Sequence, residues 1–531
     1  DGAILSWLFD IHPKVWADTL CMARSLHGVE VGGSLAALAQ RYNIGEKGTE
    51  VVDAMGKRRE EFSEASLDKY GDYCINDVEL TYKLFSIMAA GYPRQELKVI
   101  DTTLRMFIEP ILDLDMGLLE QHLIAIRDRK DDLLIEAGVS KESLMSNDKF
   151  AELLKKNGVI PPTKISPTTG KETYAFAKTD EGFKALQEHP SISIQALVAA
   201  RLGNKSTLEE TRTQRFIDIS RRGILPVPVR YYAAHTGRWG GDDKINLQNL
   251  PSRGPDGKTL KRSIIAPDGC VLIDCDSAQI EARVLAWLAG QEDLVSSFRN
   301  GEDVYVKMAS RIYNKDESEV TKDERFVGKT TILGSGYGMG AVKFQAQMGT
   351  FGFEIDIEEA RRVIQVYREA NAEISGLWQE AQLMIRELAK GKEKSIGVPQ
   401  VLEPVGDLSA VRLPSGLLMR YDDLKGVNDS KGMEYTYKRR NGRAKIYGGK
   451  FVENACQALA RCIIAEQMLK ISKKHRVALT VHDSIVCCVK EDDVEQAKQD
   501  IEMYMRWVPD WAEGLPLDCE AFVGRSYGEC E

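Results

Sequence analysis

Val271-Leu-Ile-Asp274-Cys-Asp276-Ser-Ala-Gln279-Ile-Glu281-Ala-Arg283 is the stretch whose reading decides the fold. It opens as an apolar run of the buried-strand type, and from Ile280 to Leu288 the spacing turns helical. A carboxylate at the end of such a strand suits a hard cation such as Mg²⁺, which takes oxygen ligands. A second segment repeats the pattern. Ala478–Val489 is strand-like, with His482-Asp483-Ser484 at its centre. Two such carboxylates can hold two metal ions ~3.5–4 Å apart for in-line phosphoryl transfer. Either segment alone reads equally well as a turn or a helix cap.

A third segment carries the counter-charge. In Arg325-Phe-Val-Gly-Lys329-Thr-Thr-Ile-Leu333-Gly-Ser-Gly-Tyr337-Gly338, every fourth residue forms a series of two cations, an apolar side chain and an aromatic. On a helix such members drift ~40° and rise ~6 Å per step, so they make one slanted stripe. The cations suit triphosphate oxygens, and the other two suit a sugar and a base. Glycines 328, 334, 336 and 338 each cost a helix up to ~1 kcal/mol, which predicts something bulky against the backbone. The order of a phosphate-cradling P-loop is absent.

The chain has 531 residues, enough for about three to five domains. Its 43% hydrophobic and 28% charged content is that of a globular protein with a large core, not a disordered or fibrous chain. No apolar run approaches the ~18–20 residues of a membrane span, and no signal peptide is read at the start. The chain begins Asp1-Gly2 rather than with Met, and is read as a fragment or a processed chain. Ten cysteines without C-x-x-C pairs predict buried thiols rather than a disulfide or zinc framework, with Cys487 and Cys488 on opposite faces of a strand. The net charge of −9 hides a basic stretch: residues 201–262 hold 13 Lys/Arg against 6 Asp/Glu. Such a stretch suits phosphate backbone or a solvated surface.

Periodicity divides the chain coarsely. Residues 1–92 read as an incomplete α/β piece, with Ala3–Phe9 apolar and Leu35–Tyr42 and Asp77–Ala90 helical. From about 95 to 222 the pattern is helical, interrupted by a polar loop at 161–171. Residues 224–230 are extended and 236–254 irregular. Helices run on to about 390. Residues 411–450 alternate as strands with hairpins, and a helix spans about 452–472.

Together, in this order, the three segments resemble motifs A, B and C of family A DNA polymerases, the bacterial polymerase I-like class, and its phage members above all. Asp276 with Gln279, Glu281 and Arg283 resembles motif A. Arg325, Lys329, Leu333, Tyr337 and Gly338 lie on motif B, and His482-Asp483 on motif C. His235-Thr-Gly-Arg238 and Asn246-Leu-Gln248-Asn249-Leu-Pro resemble the segment beside the primer terminus, Lys205-Ser-Thr the thumb, and Glu453-Asn454-x-x-Gln457 the helix that meets the minor groove. Tyr73-x-x-x-Asp77 resembles the third motif of the family's 3′–5′ exonuclease, and Asp1 the end of its second. The first would lie upstream. Three departures stand out: Ser277-Ala278 in motif A, Leu333 where Phe or Tyr is commoner, and Ser484 where the family has Glu.

The resemblance implies an α/β right-hand polymerase. Residues 1–94 would be a partial, ribonuclease H-like exonuclease domain. Residues 95–235 would be the thumb, 236–290 the first part of the palm, 291–395 the helical fingers, and 396–531 the rest of the palm with its antiparallel sheet. Asp276 and Asp483 would hold two Mg²⁺. Arg325, Lys329, Leu333, Tyr337, Glu281, Gln279 and His482 would bind dNTP, with Lys329 also catalytic. Arg238, Asn246, Gln248, Asn249, Lys205, Gly338, Gln457 and Arg283 would bind primer–template DNA. Asp1, Tyr73 and Asp77 would be the nuclease remnant. A processivity factor or helicase–primase would be a partner, in bacterial or infected-host cytoplasm and away from membranes. Ser484 leaves a phage-type single-subunit RNA polymerase as an alternative, opposed by Glu281, and an exonuclease or an inactive DNA-binding module remain further readings.

Overall fold

A computed structural model describes every residue except 29–31, 167–169, 179, 188, 252–256, 430–431, 440–441 and 531. Parts of the polar 161–171 loop and of the basic 201–262 stretch therefore lie outside the described residues. Before Asp113 the described residues form helices and no strand. They include α1 (Gly2–Phe9), α2 (Glu64–Ala89) and α3 (Arg94–Ile108). The α/β character expected of residues 1–92 is thus not found. A lone strand would leave its backbone groups unpaired, whereas a helix satisfies them internally. In α1 the apolar run docks on α3 instead, where Trp7 Nε1 donates to the Ile108 carbonyl at 2.7 Å and the Trp7 ring stacks on Phe107.

Next come the long α4 (Met116–Ala137), α5 (Ile192–Lys205) and α6 (Leu208–Ser220). Asp115 caps α4 by accepting from Leu118 N, and Gly138 ends it in the left-handed region. Beyond these helices lies a separate small core built on Phe150, Phe176 and Phe183. Arg201 is buried within it, its guanidinium over the Phe150 and Phe176 rings.

The central sheet is antiparallel, with β1 (Cys270–Ser277) inside it. Helices α7 (Ile280–Ala289), α8 (Val304–Tyr313), α9 (Lys322–Ser335), α10 (Ile357–Ala370) and α11 (Ala372–Leu388) follow. A three-stranded meander comes next, β2 (Lys425–Asp429), β3 (Gly432–Arg439) and β4 (Gly442–Ile446). Then come α12 (Gly448–Ile471), β5 (Arg476–Val481), β6 (Ser484–Lys490), α13 (Val494–Met505) and β7 (Cys519–Gly524). The strand order is β5-β6-β1-β7. Val271, Leu272 and Ile273 are buried because β1 has neighbours on both edges, which explains its unbroken apolar run. Helix α12 is buried along nearly its whole length and joins the sheet to α7, α11 and α3. Among the described residues no helix is long and apolar enough to cross a membrane.

Candidate active site

Register brings the two carboxylates together. Asp276, next to last in β1, pairs across the sheet with Ser484, the first residue of β6. Asp483 occupies the two-residue turn just before it, and Ser277 N donates to the Asp483 carbonyl at 3.2 Å. Side chains alternate along a strand, so Asp274 and Asp276 share one face while Cys275 turns to the other, toward Cys519 and α13. Glu520 of β7 pairs with Asp276 and joins the acidic face. Ser484 Oγ donates to Asp274 Oδ1 at 2.5 Å. Alternation along β1 was the signal that Asp274 belongs here, and the sequence reading missed it.

This face is short of positive charge. The Asp276 carboxyl is pushed up to about 7, first by lost hydration, then by repulsion from Asp483, Asp274 and Glu520, with Lys261 opposing. Asp483 is raised as well, by burial above all, against its backbone hydrogen bond and the charges of Arg238 and His482. Closely set oxygen donors that repel one another fit a hard divalent cation. Among the described residues no three His, Cys, Asp or Glu side chains converge to ligate one ion. Two carboxylates completed by water and phosphate oxygens is a habit of Mg²⁺.

Arg325, Lys329 and Leu333 of the predicted stripe lie on α9, while Tyr337 falls past its end at Ser335. Thr321 accepts from Glu324 N while the Glu324 carboxylate accepts from Thr321 N, a capping box that starts the helix. Arg325 Nε donates to Asp303 Oδ2 at 2.7 Å, and the guanidinium lies 5.4 Å from the centroid of the Tyr305 ring. Lys329 Nζ lies 5.8 Å from the same ring. Asp303 also caps α8 by accepting from Tyr305 N and Val306 N, so one carboxylate serves two helices. Neither Asp303 nor Tyr305 was singled out from sequence. Leu333 is 44% exposed, an unusual setting for a large apolar side chain beside two cations. Two of the four glycines have a packing cause inside the protein. A Cβ on Gly328 would overlap the Tyr305 carbonyl oxygen, and one on Gly336 would overlap Leu285. Gly338, with φ +78°, borders a cavity of about 410 Å³ lined by Arg368, Trp378 and Tyr447.

Glu281 is the meeting point of the segments. Arg238 Nη2 donates to its Oε1, and Tyr337 Oη donates to its Oε2 at 3.4 Å. Burial raises the Glu281 carboxyl, Asp483 adds to the rise, and Arg238 and Tyr337 oppose it. Thr236 Oγ1 donates to Gln457 Oε1 at 3.5 Å, which places Gln457 of α12 beside the 236–238 loop. Gln279 is exposed at φ 54°, on the turn into α7. Asn249 and Lys205 are exposed, and Asn246 keeps a buried Oδ1 without a hydrogen-bond partner.

Two expected DNA contacts face inward. Arg283 is 5% exposed; its donors go to the carbonyls of Ala278, Phe298 and Pro516, and its guanidinium lies over the Phe298 ring. Gln248, also 5% exposed, is bonded to the turn that carries Asp483. Part of the basic stretch also turns inward or is paired: Arg215 binds Asp243, Arg230 binds Asp242, and Arg201 and Arg212 are buried. At the N-terminal end, Lys47 Nζ donates to Tyr73 Oη at 2.5 Å and forms an ion pair with Asp77. Asp1 sits at the start of α1, and among the described residues no hydrogen bond or ion pair joins it to Tyr73 or Asp77.

Against known proteins, the sequence model of DNA polymerase family A matches residues 119–395. The chain belongs to DNA polymerase family A. It is 24% identical to the DNA polymerase of Bacillus phage SP02, over 97% of this chain and 84% of that protein. It is also 24% identical to DNA polymerase I of Pseudomonas aeruginosa, over 96% of this chain and 53% of the relative, so it spans about half of that bacterial protein. Among solved structures, the polymerase domain of Pol1 from M. smegmatis, in complex with DNA primer-template and dNTP, has the same fold: TM-score 0.70, 21% identity, 97% of this chain and 82% of that one.

Proposed function

We propose that the chain is a template-directed DNA polymerase that extends a primer 3′-OH with dNTPs. The observation that carries the reading is the convergence of Asp276 and Asp483 at one end of the sheet, with Glu281 linking that end to the α9 stripe. Relatives named as DNA polymerases, matched over nearly the whole chain, support it over RNA synthesis. In this reading residues 95–235 are the thumb, 236–290 and 396–531 the palm, and 291–395 the fingers.

Asp276 and Asp483 would hold two Mg²⁺, which when bound lower the pKa of the primer hydroxyl and offset charge on the α-phosphate. Arg325 and Lys329 bind the triphosphate, and Lys329 could give a proton to the leaving pyrophosphate. Leu333 borders the sugar, and Glu281 excludes a ribose 2′-OH by filling its space. Tyr337 and Gly338 flank the templating base at the Trp378–Tyr447 cavity. Arg238 and Gln457 meet minor-groove acceptors, whose positions are alike in all base pairs and so report shape rather than sequence. Lys47 replaces any cation at the Tyr73–Asp77 remnant, which is read as a nuclease vestige. Primer extension with dNTPs and separately with rNTPs tests the function. Extension with dNTPs alone is expected; extension with rNTPs alone, or degradation without extension, overturns the reading.

A further inference from the structure

Gln248 is buried, yet its side-chain amide is fully engaged at one place. Its Nε2 donates to the Thr480 carbonyl at 2.6 Å, and its Oε1 accepts from His482 N at 2.9 Å. Thr480 and His482 bracket Val481, the last residue of β5, and Asp483 follows immediately. A single planar amide thus clamps the strand on the entry side of the turn.

The turn needs such support. His482 sits at φ 54°, in the left-handed region that residues other than glycine rarely occupy. Its amide has left the β5–β6 ladder, where the last pair is Val481 with Ser484. Without Gln248 that amide would have no protein acceptor. On the exit side, the Asp483 carbonyl is held by Ser277 N. The clamp is itself anchored: Gln248 lies in a short 3₁₀ turn, Leu247–Asn249, and the buried Arg212 of α6 donates to the Asn249 carbonyl at 2.8 Å.

We infer that Gln248 is a positioning residue for Asp483. It fixes the backbone of the catalytic turn from inside the palm and makes no contact with DNA. The inference rests on the polymerase reading above, because it is Asp483's role that gives the turn a geometry to preserve. Only a side chain with a donor and an acceptor at one end fits both bonds. Gln248→Glu, when ionised, keeps the acceptor and loses the donor. Gln248→Met keeps the length and loses both. A misplacement of about 1 Å in a catalytic group can cost about a hundredfold in rate.

Three measurements on the whole chain decide it. The first is hydrogen exchange at the His482 amide without substrate. It should be protected in the wild type and in Gln248→Glu, and should exchange at least about tenfold faster in Gln248→Met. The second is single-turnover extension against Mg²⁺ concentration. Gln248→Met should lower the maximal rate about ten- to a hundredfold and raise the Mg²⁺ midpoint, with Gln248→Glu between it and the wild type. The third is primer–template Kd, which should stay within about threefold of wild type. A His482 amide unprotected in the wild type overturns the inference even if no variant folds. So does a variant that loses DNA affinity while its rate and Mg²⁺ midpoint hold. A wild type that extends no primer removes the polymerase reading instead, and leaves the exchange result to judge the clamp.

Discussion

Arg238 and Glu281 are joined as an ion pair between two segments 43 residues apart, and the Tyr337 hydroxyl holds the second oxygen of the same carboxylate. This fastens the 236–238 loop, the first turn of α7 and the turn just past α9 to one another. Removing the carboxylate should act in two places. Glu281→Ala should admit rNTPs, since the space beside the sugar opens, and should also leave Arg238 without its partner. Incorporation of single rNTPs and dNTPs reads the first effect. An unchanged rNTP/dNTP ratio would take Glu281 out of the sugar pocket.

Asp276→Asn and Asp483→Asn should each abolish extension while primer–template binding stays within several-fold. In the proposed mechanism the carboxylates act on the transition state, whereas affinity would come from phosphate contacts. Retention of more than about a hundredth of wild-type turnover, roughly 2.7 kcal/mol of barrier, is incompatible with the assignment.

Asp276 also predicts a pH signature. Its carboxyl is pushed up to about 7 from an ordinary 3.8, by lost hydration first and then by its acidic neighbours. A carboxyl raised by folding contributes stability fully only below the ordinary value, and the contribution is lost as pH rises through 7. In EDTA, Asp276→Asn should therefore melt above wild type at pH 8, with the gap closing toward pH 4. Thermal melts at the two pH values check this, and equal gaps at both would mean that folding does not raise this carboxyl.

Leu333 has no hydrogen-bonding group with which to replace a missing 3′-OH contact. Wild type should therefore discriminate against dideoxynucleotides, and Leu333→Tyr should relax this by about tenfold or less, the worth of one hydrogen bond of ~1–1.5 kcal/mol. The ratio of ddNTP to dNTP incorporation measures it. Uniform slowing of all substrates would mean that Tyr merely overpacks the site.

The Tyr73–Asp77 pair, proposed as a nuclease remnant, gives the last expectation. With Lys47 paired to Asp77 and Asp1 elsewhere, the chain should show no metal-dependent 3′–5′ degradation of a mismatched primer. Degradation that disappears in Asp77→Ala would mean that a working site is assembled there.

The strand-to-helix switch at Asp276, the stripe on α9 and the His482-Asp483 turn were legible because each is written in local periodicity. What escaped were partners chosen by the tertiary fold. No spacing rule links Gln248 to a backbone turn more than two hundred residues later, or Arg238 to Glu281. The same holds for Arg283, whose place in a motif suggested a ligand while its surroundings are three carbonyls, a ring and the Asp518 carboxylate. Residues 1–92 misled for another reason. An apolar run such as Ala3–Phe9 carries no sign of whether a sheet is present to receive it, and here α3 takes it as a helix.

Gly328 lets the backbones of α8 and α9 touch, Asp303 ties one helix to the other, and Tyr305 underlies both cations. The two helices are thereby welded into a lever with fixed charge spacing. Left-handed glycines flank the pair, Gly301 before α8 and Gly338 after α9. If Arg325 and Lys329 grip a triphosphate as proposed, they meet it as a single preset comb rather than as two side chains searching separately.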